Sequence, residues 1–157
     1  MAAGCAGRGF PEPQKLATSP APVLFWPRRK GARIEAKPEK SINVLGRPLA
    51  PCSRDPLTGY FRDGHCNTCD TDFGSHTVCC VMTAEFLAYE KYVGNDLTTP
   101  RPEYNFPGLK PGDQWCVCAA RFLQAADEGC GPRVNLEATH GRALEIVPMA
   151  VLEAHRA

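Results

Sequence analysis

The sequence lacks the long apolar runs that cross membranes or form the core of a secretory signal. A membrane-spanning helix needs about 20 consecutive apolar residues, and no segment of the 157 residues approaches that length. The longest apolar run in the first 40 residues covers only residues 23–26. We therefore expect neither export nor membrane insertion, and we expect an intracellular protein.

The sequence also lacks a strong excess of charge of either sign. Its net charge of +1 predicts no bulk attraction to nucleic acid or to an anionic membrane. Residues 1–40 nevertheless carry eight basic against three acidic side chains, together with six of the 15 prolines. This basic, Pro/Ala-rich composition predicts a disordered tail. The tail is compatible with a transit peptide for a plastid or mitochondrion, or else with a plain extension of a cytoplasmic protein.

Several familiar catalytic motifs are missing as well. The sequence contains no phosphate-binding loop, dinucleotide fingerprint, HExxH motif or nucleophile elbow. No enzyme class is therefore indicated by a motif alone.

Residues 41–157 have the composition of a single globular domain. Their apolar patterns and turn residues predict strands over 58–61, 76–82, 115–118 and 134–137, a helix from Thr83 to Gly94, and helices over 119–128, 139–145 and 148–155. The mixed order predicts an α+β fold, a small two-layer sandwich with helices on one face of a short, mostly antiparallel sheet. Four prolines and two glycines predict a long loop over 95–114, of the kind that binds ligands or covers a core.

Cysteine is abundant, with nine in the chain. An odd count in an intracellular protein predicts reduced thiols rather than a disulfide framework. Buried free cysteine behaves as a small hydrophobe, so Cys79, Cys80, Cys116 and Cys118 are expected to fill the core from their strands. Cys66 lies instead in a polar loop, where a neighbouring imidazole would generate a thiolate nucleophile or a metal ligand.

The segment GHCNTCDTDFGSHTVCC, residues 64–80, concentrates the chemically active side chains. Its Cys-x-x-Cys is half of a zinc signature, and Cys66, Asp72 and His76 are the candidate ligands for a single ion. In a regular strand His76 and Cys79 point to opposite faces, so they cannot share an ion without a bulge. Asp72 either closes a turn before Gly74 or orients His76 through a hydrogen bond.

Other polar candidates lie further along the chain. His140 begins a predicted helix, where the helix dipole favours the neutral ring; it is either a base, a ligand or a surface cap. Asn95, Asp96 and Arg101 either bind a polar ligand or satisfy stray backbone groups.

Several strings resemble a known family, namely NVLGRPLAPC, TGYFRDG, GSHTVC, GNDLTTPRPEYNFPGLKPGD, WCVC and LEATH. From about residue 43 onward the chain is similar to domain of unknown function family 2237. The resemblance implies a compact α+β domain of mostly bacterial distribution and implies no activity. It adds Trp115 and Thr139 to the candidate positions. The chain departs from the family pattern at His65, Cys69 and Cys80, so the Cys-x-x-Cys is its own feature, which weakens a zinc-knuckle interpretation.

Three hypotheses follow for the globular domain. The first is a binding module that holds a small molecule or a protein segment in a polar pocket near Asp72 and His76, covered by the 95–114 loop. The second is a thiol-dependent enzyme with Cys66 as nucleophile and His76 or His140 as base. The third is a mononuclear site, zinc being the candidate, at Cys66, Asp72 and His76.

Overall fold

The computed structural model describes residues 41–157. The predicted tail and its transit peptide, residues 1–40, lie outside the described residues. Residues 41–157 form three strands and three α-helices: β1 (Val78–Val81), α1 (Ala84–Tyr92), β2 (Gln114–Val117), α2 (Ala119–Asp127), β3 (Arg133–Val134) and α3 (Met149–Ala154). Short 3₁₀ turns cover Pro102–Tyr104, Leu136–Ala138 and Gly141–Glu145.

The strands form one small antiparallel sheet in the order β2-β1-β3. Cys79 of β1 lies opposite Cys116 of β2, and Cys80 lies opposite Val134 of β3. With the helices, this sheet confirms the predicted α+β class. Among the described helices, none combines the length and the apolarity needed to cross a bilayer.

The strand predicted over 58–61 is wrong. These residues form turns, because Gly59 takes a φ of 98°, a left-handed conformation that breaks an extended run. The Thr58 hydroxyl instead accepts a hydrogen bond from the Cys116 amide at 2.8 Å. It thus gives this amide, on the outer edge of β2, a hydrogen-bond partner. The strand predicted over 134–137 is shorter than expected, because the Asn135 side chain accepts from the Glu137 amide and begins a 3₁₀ turn.

Helix α1 begins and ends as its sequence predicts. The Thr83 hydroxyl accepts a hydrogen bond from the Phe86 amide at 3.1 Å, which is N-cap geometry. Gly94 follows the helix with a φ of 89°, the conformation in which glycine commonly ends a helix. Phe86 and Leu87 are buried and anchor the helix in the core.

The two faces of β1 lie in different cores. Val78, Cys80 and Met82 belong to the main apolar core, which also contains Phe86 of α1 and Phe122 of α2. The opposite face carries Cys79, which belongs to a second, smaller cluster. We call this cluster the sulfur cluster; it contains Cys52, Cys66, Cys79, Cys116 and Ala138. The strand alternation predicted for this segment is therefore confirmed.

The long loop before β2 is irregular, as predicted, apart from the turn Pro102–Tyr104. It closes on itself, since the Leu109 amide donates to the Leu97 carbonyl at 2.8 Å. Leu109 is buried in the main core, and the Phe106 ring packs edge-on against Trp115 with centroids 5.3 Å apart. The loop is thus held by apolar packing together with backbone hydrogen bonds, such as that from the Gly112 amide to the Met82 carbonyl at 2.9 Å.

Candidate functional site

A tight loop before β1 places Asp72 against His76. Asp72 Oδ1 lies 2.7 Å from His76 Nδ1, and Oδ2 accepts hydrogen bonds from the His76 amide and the Thr68 hydroxyl, both at 2.9 Å. The Asp72 carbonyl also accepts from the Ser75 amide at 3.0 Å, and Ser75 has a φ of 47°. Both predicted roles of Asp72 are therefore present together: the carboxylate closes the turn and also fixes the His76 ring.

Cys118 is the sulfur that meets this histidine. Strand β2 ends at Val117, and Cys118 is the N-cap residue of α2, with φ −56° and ψ 129°. Its sulfur lies near the His76 ring, since both approach the same side of Gly74, and it contributes to raising the pKa of that ring. Cys118 is one of three free cysteines among the described residues and is half-buried. The expectation that Cys118 fills the core beside Cys116 is thus corrected, because the chain turns into a helix before the strand's alternation reaches Cys118.

Gly74 makes this close approach feasible. A Cβ atom at position 74 would lie 2.8 Å from His76 Cε1 and 3.2 Å from Cys118 Sγ. The first distance is well inside van der Waals contact, so a larger residue would push the ring or the thiol away. The backbone ties the same parts together, since the Ala119 amide donates to the Ser75 carbonyl at 2.9 Å.

The electrostatic environment favours a charged histidine. Burial lowers the pKa of the His76 imidazole, but hydrogen bonds to Asp72 and Cys118, with the charges of both groups, raise it to about 10. Burial raises the pKa of the Asp72 carboxyl, yet its bonds to His76 and Thr68 outweigh that effect and the pKa is lowered. At neutral pH the site therefore holds an imidazolium between a carboxylate and the sulfur of Cys118.

The site is open to solvent on one side. The His76 side chain keeps 21% of its surface exposed, whereas that of Asp72 is fully covered. The Tyr60 ring stacks on the His76 ring with centroids 6.2 Å apart. Phe73, in the same loop, is 95% exposed. The imidazole is therefore reachable from solvent beside the Tyr60 ring.

The start of α2 adds hydrogen-bond donors beside the thiol. In the described part of the chain, no group accepts a hydrogen bond from the backbone amides of Cys118 or Ala120. The first amides of a helix carry partial positive charge and attract anions. The Cys118 side chain thus lies where a negative charge is stabilised.

Cys66 occupies a different place from the one expected. It is fully buried in the sulfur cluster and forms a disulfide with Cys116, while Cys52 forms another with Cys79. The expectation of reduced thiols at Cys79 and Cys116 is therefore corrected. These bonds join cysteines 27 and 50 residues apart, and their pairing depends on how the entry segment folds onto β1 and β2, which local patterns do not reveal.

The structure does not bring the proposed metal ligands together. In the described region, the ligand atoms of Cys66, Asp72 and His76 do not form a group within 4.8 Å of one another. With its sulfur in a disulfide, Cys66 is not positioned as a thiolate nucleophile either.

The remaining histidine candidate begins the turn Gly141–Glu145. His140 Nδ1 accepts a hydrogen bond from the Arg142 amide at 3.0 Å, and the His140 amide donates to the Thr77 carbonyl. Burial, with a further effect from Arg142, lowers the pKa of the His140 ring. The neutral ring predicted for this position is thus supported, in the role of a helix cap.

The polar candidates of the long loop make local contacts. Asn95 donates to the Glu90 carboxylate, and Asp96 accepts from the amides and hydroxyls of Thr98 and Thr99. Arg101 pairs with Phe106 through the backbone. The contacts of these three residues are thus made within the loop and with the end of α1.

Two further candidates support the sheet. The buried Thr139 hydroxyl accepts from the Cys79 amide at 3.1 Å and donates to the Asn135 carbonyl at 2.8 Å. The Arg62 guanidinium lies over the Trp115 ring, 4.9 Å from the ring centroid. Both residues have structural partners that explain their positions.

The key residue that sequence reasoning misplaced is Cys118, and one local signal could have found it. The helix predicted over 119–128 places residue 118 immediately before its first turn. A residue at that position is an N-cap, whose non-helical backbone leads the chain from the strand into the helix. A cysteine there lies at a helix N-terminus, which is where reactive thiols are found.

A comparison with known protein families gives one match. Residues 42–156 match the family described as "Uncharacterized protein conserved in bacteria (DUF2237)". A search of curated proteins found no match. The family match spans nearly all of the described residues and confirms the resemblance seen in the sequence. The chain therefore belongs to the DUF2237 family of uncharacterised proteins conserved in bacteria.

Proposed function

We propose that this protein is a thiol-dependent enzyme in which Cys118 is the nucleophile, His76 transfers the proton and Asp72 positions His76. The observation that carries the proposal is the His76 ring, whose Nδ1 lies 2.7 Å from Asp72 Oδ1 and which shares the space beside Gly74 with the Cys118 sulfur. A nucleophile, a proton-transfer group and an orienting carboxylate in series form the arrangement that nucleophilic catalysis requires. The enzyme hypothesis from the sequence is thus kept, with Cys118 in place of Cys66.

The arrangement suits transfer or hydrolysis of an acyl group. The Cys118 thiolate attacks the acyl carbon and forms a C–S bond, while the imidazolium gives its proton to the leaving group as the bond to that group breaks. The neutral ring then takes a proton from water, which attacks the thioester; the C–S bond breaks and the thiolate returns. His76 is thus a general acid in the first step and a general base in the second.

Two features around the thiol support acyl chemistry in particular. Cys118 is the N-cap residue of α2, and the partial positive charge of a helix N-terminus stabilises an oxyanion that develops beside the thiol. The raised pKa of His76, about 10, keeps the ring protonated at neutral pH and ready to donate to a leaving group.

A second candidate function is ligand binding without chemistry, as in the first hypothesis from the sequence. The observation that favours it is Phe73, a large apolar side chain that is 95% exposed beside the polar pair. An exposed aromatic ring that follows Asp72 in the same short loop as His76 suits a small molecule or a protein segment with an apolar and an anionic part. The thermal stability of the wild-type protein should then rise when such a ligand is added. The increase should be the same in Cys118→Ser.

An activated ester tests the enzyme proposal without knowledge of the natural substrate. p-Nitrophenyl acetate should give a burst of nitrophenol near one equivalent, with the acetyl group found on Cys118 by peptide mass spectrometry. Cys118→Ser should abolish the burst, and His76→Asn should slow acetylation by about 100-fold, the usual scale for a lost general acid or base.

Cys69→Ser is the matched control. Cys69 is another free, half-buried cysteine of the same loop region, and its replacement should leave the burst intact. Acetyl spread equally over Cys69 and Cys118, or an unchanged rate in His76→Asn, would overturn the proposal.

A further inference from the structure

The sulfur cluster brings four cysteines from separate parts of the chain to one buried place. Cys52 and Cys66 come from the segment before β1, Cys79 from β1 and Cys116 from β2. The most exposed of the four, Cys52, keeps only 6% of its surface. The cluster lies on the opposite face of the sheet from the main core. Its fifth buried residue is Ala138, and the partly buried Ala50 packs against it.

The distances among these sulfurs are close to those of a metal–thiolate centre. The Sγ atoms of Cys52, Cys66 and Cys116 all lie within 4.8 Å of one another, and Cys79 Sγ is bonded to that of Cys52. Zinc binds thiolates at about 2.3 Å in tetrahedral sites, which separates the sulfurs by about 3.8 Å. No two of the sulfurs of Cys52, Cys66 and Cys116 are thus more than about 1 Å beyond that separation, and the bonded sulfurs must move apart once the disulfides are reduced.

The backbone supports four ligands around one point. Cys79 and Cys116 face each other across paired strands, so their separation is fixed by the sheet. The other two arrive on loops that are tied together, since the Cys52 amide donates to the Gly64 carbonyl at 2.8 Å. Two rigid ligands and two on adjustable loops allow a centre to close without rearranging the sheet.

We propose that the sulfur cluster, when its two disulfides are reduced, is a structural site for one zinc ion held by Cys52, Cys66, Cys79 and Cys116. Two equivalents of a dithiol reductant convert the two disulfides to four thiols and are themselves oxidised to disulfides. One Zn²⁺ then displaces four protons as four Zn–S bonds form. The same four residues thus crosslink the fold under oxidising conditions and coordinate zinc under reducing ones.

Reduction without a metal would leave four buried thiols with few polar contacts. Of the four sulfurs, only that of Cys79 has a polar contact besides its disulfide in the described chain, to Gln114 Oε1 at 3.7 Å. Buried thiols with few partners gain more from a thiophilic ion than exposed ones, because the ion is shielded from water. This site involves none of Cys118, His76 and Asp72, so it stands or falls independently of the proposed enzyme function.

Cobalt is the probe that tests the site. The full chain would be reduced anaerobically with a phosphine, freed of reductant and titrated with Co²⁺ and then with Zn²⁺. We expect one equivalent of Co²⁺ with intense sulfur-to-cobalt charge-transfer bands and tetrahedral d–d bands, all lost on adding one equivalent of Zn²⁺. Absence of these bands from the wild-type chain at stoichiometric cobalt would overturn the proposal.

Variants assign the ligands. Cys66→Ser should weaken zinc binding by at least about 100-fold, since a ligand is lost, and the double variant Cys52→Ser/Cys79→Ser should abolish tetrahedral cobalt binding. Cys69→Ser and Cys118→Ser are the matched controls and should bind as the wild type does. Wild-type affinity in the double variant, or loss of the bands in Cys118→Ser, would contradict the assignment. The wild-type cobalt spectrum decides the existence of the site even where a variant fails to fold.

Discussion

At the scale of single residues, His76 depends on Asp72 for both its position and its charge. The carboxylate is covered from solvent and accepts from both the ring and the amide of the same histidine. A charge-assisted hydrogen bond of this kind contributes about 1.5–3 kcal/mol. Because one carboxylate also terminates the turn, its removal should affect stability and His76 together.

Asp72→Asn should lower the free energy of unfolding by about 2 kcal/mol near pH 5.5. The pKa of Asp72 is lowered in the fold, so its contribution is present above its ordinary value of 3.8 and is lost as the pH falls through the folded pKa. The pKa of His76 is raised, so its contribution is full below 6.5 and is lost as the pH rises towards about 10. Urea unfolding of both proteins across this range should show the difference shrinking at both ends; a difference that does not vary with pH would contradict the ion pair.

At the scale of elements, local sequence signals predicted the helices better than the strands. Thr83 and Gly94 are the expected cap residues of α1, and α2 begins at the predicted residue 119. Strand ends were less accurate, because a turn at Gly59 and a side-chain cap at Asn135 interrupt β-favouring runs. The one-residue error at the end of β2 was the consequential one, since it assigned Cys118 to the core.

Thr83→Ala should destabilise the protein by about 1 kcal/mol, because the Phe86 amide loses its acceptor at the start of α1. Thr83→Ser keeps a hydroxyl in the same place and should stay within about 0.5 kcal/mol of the wild type. Urea denaturation followed by far-UV circular dichroism measures both. Equal losses in the two variants would mean that the methyl group, rather than the cap, stabilises the helix.

At the scale of the whole molecule, the sequence indicated the fold class and half of the site. Asp72 and His76 lie four residues apart, so their pairing could be inferred from a turn. Cys118 lies near them only because β2 pairs with β1 and the chain then turns into α2. Cys66 is not part of the site because it forms a disulfide with Cys116, 50 residues away. Such long-range contacts depend on the pairing of strands that are remote in sequence, which local patterns do not specify.

The two disulfides should contribute unequally to the stability of the oxidised, metal-free protein. The chain-entropy relation assigns about 4 kcal/mol to a bond closing a 50-residue loop and about 3.5 kcal/mol to one closing 27 residues. Cys66→Ser/Cys116→Ser should therefore destabilise the protein slightly more than Cys52→Ser/Cys79→Ser. Chemical denaturation without reductant measures both values, and losses below about 1 kcal/mol would show that these bonds do not constrain the unfolded chain.

The central claim is that Cys118, His76 and Asp72 act as one interacting group, and the protonation of His76 tests it most directly. An NMR titration of the His76 ring in the wild-type protein should give a pKa near 10, with the imidazolium present throughout neutral pH. The pKa should fall in Cys118→Ala and in Asp72→Asn, since each variant removes one of the interactions that raise it. A His76 ring that is already neutral at pH 7 in the wild type, or a pKa that does not respond to Cys118→Ala, would contradict the claim.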